Sequence, residues 1–279
     1  AQYGPVFADV LNHLAGYRLT TQKAHGYNDF MEEPLEYNRI KAETVEAMWQ
    51  AVAANKDTFV QFLNRKKALL GLDELNWQDV DAPLDFEDTK PTTFTYDEAA
   101  DFVVENFRTF GDKLADFAQS AIDKRWIEAE DRPGKRPGGY CTETINQDET
   151  RIFMTFTGSR NDTSTLAHEL GHAFHSDVLP SEAPSNQAYA MNVAETASTF
   201  AETIVANANL KQAKSKSERL QLLNAKMENA IAMFMNIRSR FLFETAFYTE
   251  RQDGFVSESR LNELMTQAQK EAFGGAIND

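Results

Sequence analysis

The chain has 279 residues, 42% of them hydrophobic, with 43 acidic against 28 basic side chains and a formal net charge of −15. That balance leaves no overall basic footprint for nucleic acid and disfavours an anionic membrane surface. No apolar run approaches the roughly 18 residues a bilayer-spanning helix needs.

Most of the chain reads as long helices, taken here from the start. Val6 to about Lys23 places Phe7, Val10, Leu11, Leu14 and Leu19 near helical spacing. Helical sequence so close to Ala1, which is not a Met, leads us to expect a piece of a longer protein. Glu43 to Leu70 reads as a second long helix stopped by Gly71, and residues 72–94 read as a connection containing Pro83 and Pro91. Thr95 with Glu98 has capping-box spacing and opens a helix to about Trp126. Asp131 to Tyr140, with Pro133, Gly134, Pro137, Gly138 and Gly139, reads as a loop.

Arg151 to Thr157 is short, aromatic and β-branched, and is the strongest strand in the sequence. Helix returns at Thr163 to Val178, at Met191 to about Leu210, from the capping box of Ser215 and Glu218 to about Arg251, and at Ser257 to Phe273 before Gly274 and Gly275. The expected fold is mainly α with a small β element beside the helix at Thr163. Residues 1–150 form its helical part, and 151–279 hold the strand and the remaining helices. The lone cysteine, Cys141, cannot close an internal disulfide and has no histidine within 20 residues to activate it. No secretory leader is visible, so the expected location is the cytoplasm.

The chemistry concentrates in His168-Glu169-Leu170-Gly171-His172. Histidines four apart on a helix share one face, a turn apart, and can hold one ion. Glu169 lies about 100° round the helix from His168, where it reaches a water beside the metal without being a ligand. Two neutral nitrogens and a carboxylate able to take and return a proton are what metal-assisted hydrolysis needs, with zinc the expected ion. A third ligand is required. His175 falls two turns from His168, roughly 10 Å along the axis, too far in an unbroken helix. A carboxylate from the next helix is preferred. Glu195, 23 residues beyond His172, fits, with Glu182 and Glu202 as alternatives. Ser198 and Glu202 share the general face of Glu195 and are candidates for orienting a ligand.

These residues resemble a known family. Thr157-Gly-Ser-Arg-Asn-Asp162, Leu166 to His175 and Glu195-Thr-Ala-Ser198 are similar to bacterial oligoendopeptidase F, of the thimet-oligopeptidase group of zinc peptidases. So are Phe7 to Asn12, Leu19, Glu32 to Pro34, Asn38-Arg39, Lys66 to Leu75, Arg125 to Ile127, and Gly134-Lys-Arg with Gly139-Tyr140-Cys141. The resemblance covers essentially the whole chain. It implies a helical, two-lobed peptidase with one zinc on His168, His172 and Glu195 deep in a channel, and Glu169 as general base. It implies short peptide substrates, and an edge strand from Ile152 to Thr157 that pairs with their backbone. The candidate substrate-binding residues are thus Gly139, Tyr140, Ile152, Phe153, Met154, Thr155, Phe156, Thr157 and Gly158.

Family members carry an N-terminal lobe and a later segment with a tyrosine and a histidine that hold the reaction intermediate; no histidine follows His175 here. The expectation is therefore a catalytic domain truncated at both ends and poorly active alone. Tyr140, Tyr189 and Tyr248 are the stand-ins that position suggests. Two other functions stay in view: a related zinc carboxypeptidase, and a non-catalytic helical module that binds peptides or a partner chain.

Overall fold

The computed structural model describes residues 2–84, 86, 93–144 and 149–278. In chain order its elements are α1 (Gly4–Ala24), α2 (Glu32–Tyr37), α3 (Ala42–Ala54), α4 (Lys56–Leu69), α5 (Tyr96–Phe110), α6 (Asp112–Asp123), β1 (Ile127–Glu128), β2 (Gly139–Thr144), β3 (Glu149–Met154), α7 (Arg160–Val178), α8 (Pro184–Gln187), α9 (Met191–Ala194), α10 (Thr196–Gln212), α11 (Lys216–Ile231), α12 (Ile237–Arg251) and α13 (Glu258–Phe273). The fold is mainly helical with one small sheet. Among the described residues no helix is long and apolar enough to cross a membrane. Part of the expected connection, residues 85 and 87–92, lies outside the described residues.

Several expected helices are present but broken. The stretch from Glu43 to Leu70 divides at Asn55, and the one from Thr95 at Gly111, whose backbone is extended. The helix from Met191 divides at Glu195, and a π-helical turn at Ala232–Asn236 separates α11 from α12. Two of the predicted caps are observed in full. The Thr95 hydroxyl accepts from the Glu98 N–H and the Glu98 carboxylate from the Thr95 N–H at the start of α5, and Gly274 ends α13 in the left-handed region at φ 60°. At Ser215 only half the box forms: its hydroxyl accepts from the Glu218 N–H, while the Glu218 carboxylate accepts from the Lys214 N–H.

Two compact units make up the chain: residues 1–85 with 223–279, and residues 86–222. The boundaries differ from the expected division after residue 150, because the second unit's sheet draws strands from both sides of that position. In the first unit, α1 turns Ala8, Asn12 and Ala15 inward. Asn12 is fully buried and saturated: its Nδ2 donates to the Ala8 and Val256 carbonyls and its Oδ1 accepts from the Val256 N–H, each at 2.8 Å. The large side chains counted on by the sequence reading, Phe7, Val10 and Leu14, face outward at 65%, 49% and 63% exposure. Lys66 of α4 is buried, donating to the Val80 carbonyl at 2.5 Å and to Glu228 of α11.

In the second unit the sheet order is β1-β3-β2. Two residues of β1 run parallel to β3, and β2 runs antiparallel to it from Gly139↔Met154 to Thr144↔Glu149. Ile152 and Met154 of β3 are buried with Leu166, Ala167, Leu170 and Ala173 of α7, and α5, α6 and α10 complete this core. α7 therefore rests one face on the sheet and core, which leaves a second stripe of the same helix for chemistry.

Candidate metal centre

The start of α7 is fixed before its histidines are reached. Ser159 caps the helix by accepting from the Asp162 N–H, and Asp162 answers by accepting from the Ser159 N–H, the Thr157 N–H and the Thr157 hydroxyl at 2.8–2.9 Å. Burial raises the Asp162 pKa, but these donors outweigh it and hold the carboxyl below its usual range. Arg160 donates to Asn209 of α10 at 2.9 Å and to Glu218 of α11 at 2.7 Å, tying the helices behind the site to the same end.

Two turns later, His168 and His172 bring their Nε2 atoms to 3.1 Å from one another. Glu195, at the junction of α9 and α10, places Oε2 3.2 Å from the first and 3.3 Å from the second. These three form a group able to hold a metal ion. The spacing itself tests the fit: ligand bonds of about 2.0–2.1 Å in tetrahedral geometry put neighbouring donor atoms about 3.3 Å apart. The three separations of 3.1–3.3 Å agree with that figure. Glu195 is 62% exposed while the imidazoles are 24% and 21% exposed, so an ion there would be open on one side.

The supporting contacts orient these donors. His168 Nδ1 lies 2.5 Å from Glu202 Oε1, which fixes the ring and turns Nε2 to the shared point. Burial lowers the His168 pKa, but the Glu202 hydrogen bond and charge reverse this to a net rise; for His172 burial prevails and the pKa falls. Ser198 donates to Glu195 Oε2 at 2.9 Å and to the Glu195 carbonyl at 3.0 Å. His175 stands apart from the group. Its ring packs on Tyr189 with centroids 4.6 Å apart.

Glu169 is 5% exposed, and its Oε2 has no hydrogen-bond partner among the described residues. Burial pushes its pKa up to about 7; the His168 ring opposes the rise, and the Glu195 and Glu202 carboxylates add to it. A buried carboxyl with an unpartnered oxygen next to a group able to hold a metal is a candidate functional residue. Cys141 is the opposite case. Burial, then the charges of Glu169 and Glu143, lift its thiol to about 12, which keeps it protonated and unreactive.

The strand expectation needs correcting. β3 is the middle strand of the sheet, not an edge, because β1 and β2 occupy both its sides. Ile152 and Met154 are buried core. The Thr155 N–H donates to Gly138 and the Phe156 N–H to Ala129, so the backbone beyond β3 is also engaged. Phe153 stacks on Tyr140, centroids 5.1 Å apart. Thr157 serves the α7 cap, and Gly158, at φ +94°, packs its backbone against Phe94. The strand next to the site is β2. A Cβ on Gly139 would lie 2.8 Å from Glu169 Oε1. The sequence reading took Gly139 and Tyr140 as the end of a loop because they close a run rich in glycine and proline, and β2 beyond them shows no apolar alternation. Tyr189 is near enough for the Glu143 and Glu195 charges to add to the effect of burial in raising its pKa; Tyr248 belongs to the other unit.

Comparison with known proteins gives a consistent picture. The sequence description of peptidase family M3 matches residues 1–278. Group B oligopeptidase PepB of Streptococcus agalactiae is 28% identical over 256 residues, 90% of this chain and 42% of that protein. Oligopeptidase PepF of Bacillus subtilis is 27% identical over 241 residues, 86% of this chain and 35% of that protein. The chain thus spans less than half the length of these curated relatives. The crystal structure of oligoendopeptidase F from Enterococcus faecium superposes with a TM-score of 0.66 at 18% identity, over 99% of this chain and 42% of that one. PZ peptidase A superposes with a TM-score of 0.80 at 17% identity, over 100% and 49%.

Proposed function

Because the chain belongs to peptidase family M3, we propose that it carries the zinc site of an endopeptidase that cleaves internal bonds of short peptides. One observation carries the proposal: His168 Nε2, His172 Nε2 and Glu195 Oε2 converge to 3.1–3.3 Å, with Glu169 buried beside them. Two imidazoles and a carboxylate with one side open are the ligand set of a catalytic rather than a structural zinc. The oligopeptidase names of the relatives above support short peptides as substrates.

When bound, the ion supplies Lewis acidity, which makes water a nucleophile near neutral pH and polarises a carbonyl. The protein's own residues do the rest. Glu202 holds the His168 ring, and Ser198 holds the Glu195 carboxylate. Glu169 accepts the proton of the attacking water on a carboxylate oxygen and passes it to the departing amine nitrogen. Its carboxyl oxygen without a hydrogen-bond partner leaves it able to take and return that proton.

The peptide is proposed to lie along β2, with Gly139 and Tyr140 at its near end. Among the described residues β2 is paired only with β3, so its outer N–H and C=O groups are free to extend the sheet with a substrate strand. Gly139 keeps that strand bare where it passes Glu169.

Mass spectrometry of the products from one defined peptide tests the reading. Two complementary fragments that vanish with chelator and return with zinc are expected. Stepwise release of single C-terminal residues would favour a carboxypeptidase. Zinc-independent binding without cleavage would favour a peptide-binding module.

A further inference from the structure

Gly171 sits inside the His168–His172 motif, and its Cα faces α10 at close range. A Cβ built on it would lie 2.7 Å from Ser198 Cα, 2.8 Å from the Ala197 carbonyl oxygen and 3.0 Å from Ala201 Cβ. Two of those three atoms are backbone, so no rotamer change clears them. α7 and α10 can approach this closely only because position 171 has no side chain. The contact falls in the turn of α10 flanked by Glu195 and Glu202, the two acids that reach α7. Glu195 faces both imidazoles, and Glu202 holds His168 Nδ1. Ser198, whose Cα makes the shortest contact, is also the donor to Glu195 Oε2.

We propose that Gly171 is a positioning residue for the metal: it sets the separation of α7 and α10, and through it the distance of Glu195 and Glu202 from the two histidines. The proposal rests on the metal reading above. A methyl at 171 needs α10 to retreat by about 1 Å to reach ordinary van der Waals contact, whereas a metal site tolerates about 0.2 Å in its bond lengths. Ala is otherwise the better helix former, so the substitution separates the two effects. The helix itself is favoured while the ligand geometry is spoiled.

The experiment measures zinc affinity by chelator competition, with the absorption spectrum of the cobalt-substituted protein as a report on coordination. The melting temperature of the metal-free chain is followed in parallel. Gly171→Ala is expected to weaken zinc binding by tenfold to a hundredfold and to alter the cobalt spectrum, the range typical when a ligand's support is disturbed. Ala201→Val widens the same contact from the α10 side, and the same result is expected. Ala173→Gly, which destabilises α7 without entering this contact, is expected to lower the melting temperature and leave zinc affinity unchanged. Wild-type zinc affinity in both Gly171→Ala and Ala201→Val would overturn the inference while leaving the metal reading intact. A wild-type chain that takes up no zinc would overturn both. If Gly171→Ala fails to fold, Ala201→Val decides alone.

Discussion

At the scale of single residues, the proposed function assigns holding a metal and moving a proton to different side chains. Glu169→Gln keeps the size of the side chain but cannot accept a proton. Zinc content is expected to stay at the wild-type level while turnover falls by about a hundredfold to ten-thousandfold. Near-normal turnover at equal zinc content would remove Glu169 from the chemistry. Glu202→Ala frees the His168 ring, and a zinc dissociation constant about 10–100 times larger is expected from chelator competition. Gly139→Ala acts from the opposite side of α7, on the flexible end of Glu169. That variant is expected to keep its zinc and lose turnover, which a parallel metal and peptide assay would check. The spacing of the motif made the histidines and Glu169 legible in the sequence, and the side chains that could reach them included Glu195, Ser198 and Glu202. Spacing favoured Glu195 but left Glu182 and Glu202 as alternatives; the fold brings the Glu195 carboxylate to both imidazoles and the Glu202 carboxylate to His168 Nδ1. Gly171 and Gly139 were not legible as positioning residues, since a glycine's role is defined by the atoms opposite it.

At the scale of elements, α7 depends on its cap. The Asp162 carboxyl is held below its usual range, so its contribution is complete above the ordinary aspartate pKa of about 3.9 and is lost as pH falls through the lower folded value. Asp162→Asn is expected to cost about 1 kcal/mol near neutral pH. It should also flatten the acid limb of a stability-against-pH series followed by circular dichroism. An unchanged acid limb would place the acid sensitivity elsewhere. The pairing of Lys66 with Glu228 behaves differently, because Lys66 is buried and Glu228 is partly exposed. Glu228→Gln leaves a buried ammonium with the Val80 carbonyl and is expected to cost about 3 kcal/mol in urea unfolding; Lys66→Met is expected to cost about 1 kcal/mol or less. Equal costs for the two would contradict the assignment. Long helices were readable from periodicity, and their ends from Gly71, Gly274, Thr95 and Ser257. The breaks at Asn55 and Glu195 were not, because neither residue is a strong helix breaker. β1 escaped because two residues give no period.

At the scale of the whole chain, periodicity told which side chains of α1 share a face but not what that face meets. Phe7, Val10 and Leu14 keep their helical spacing yet point outward, while small Ala8 and Ala15 pack inward. The division into units was hidden for a similar reason. Sheet partners 127–128 and 152–153 are separated by a glycine-rich run, and only their pairing shows that the chain's midpoint lies within one unit. That unit contains every residue assigned to the metal. Zinc at a hundred times its dissociation constant would therefore stabilise it by about 2.7 kcal/mol. The most direct test of the account is the metal content of the purified chain by mass spectrometry, measured beside Glu195→Ala and His175→Ala. The account predicts one zinc per chain in the wild type and in His175→Ala, and loss of zinc in Glu195→Ala. Zinc retained by Glu195→Ala and lost from His175→Ala would contradict it.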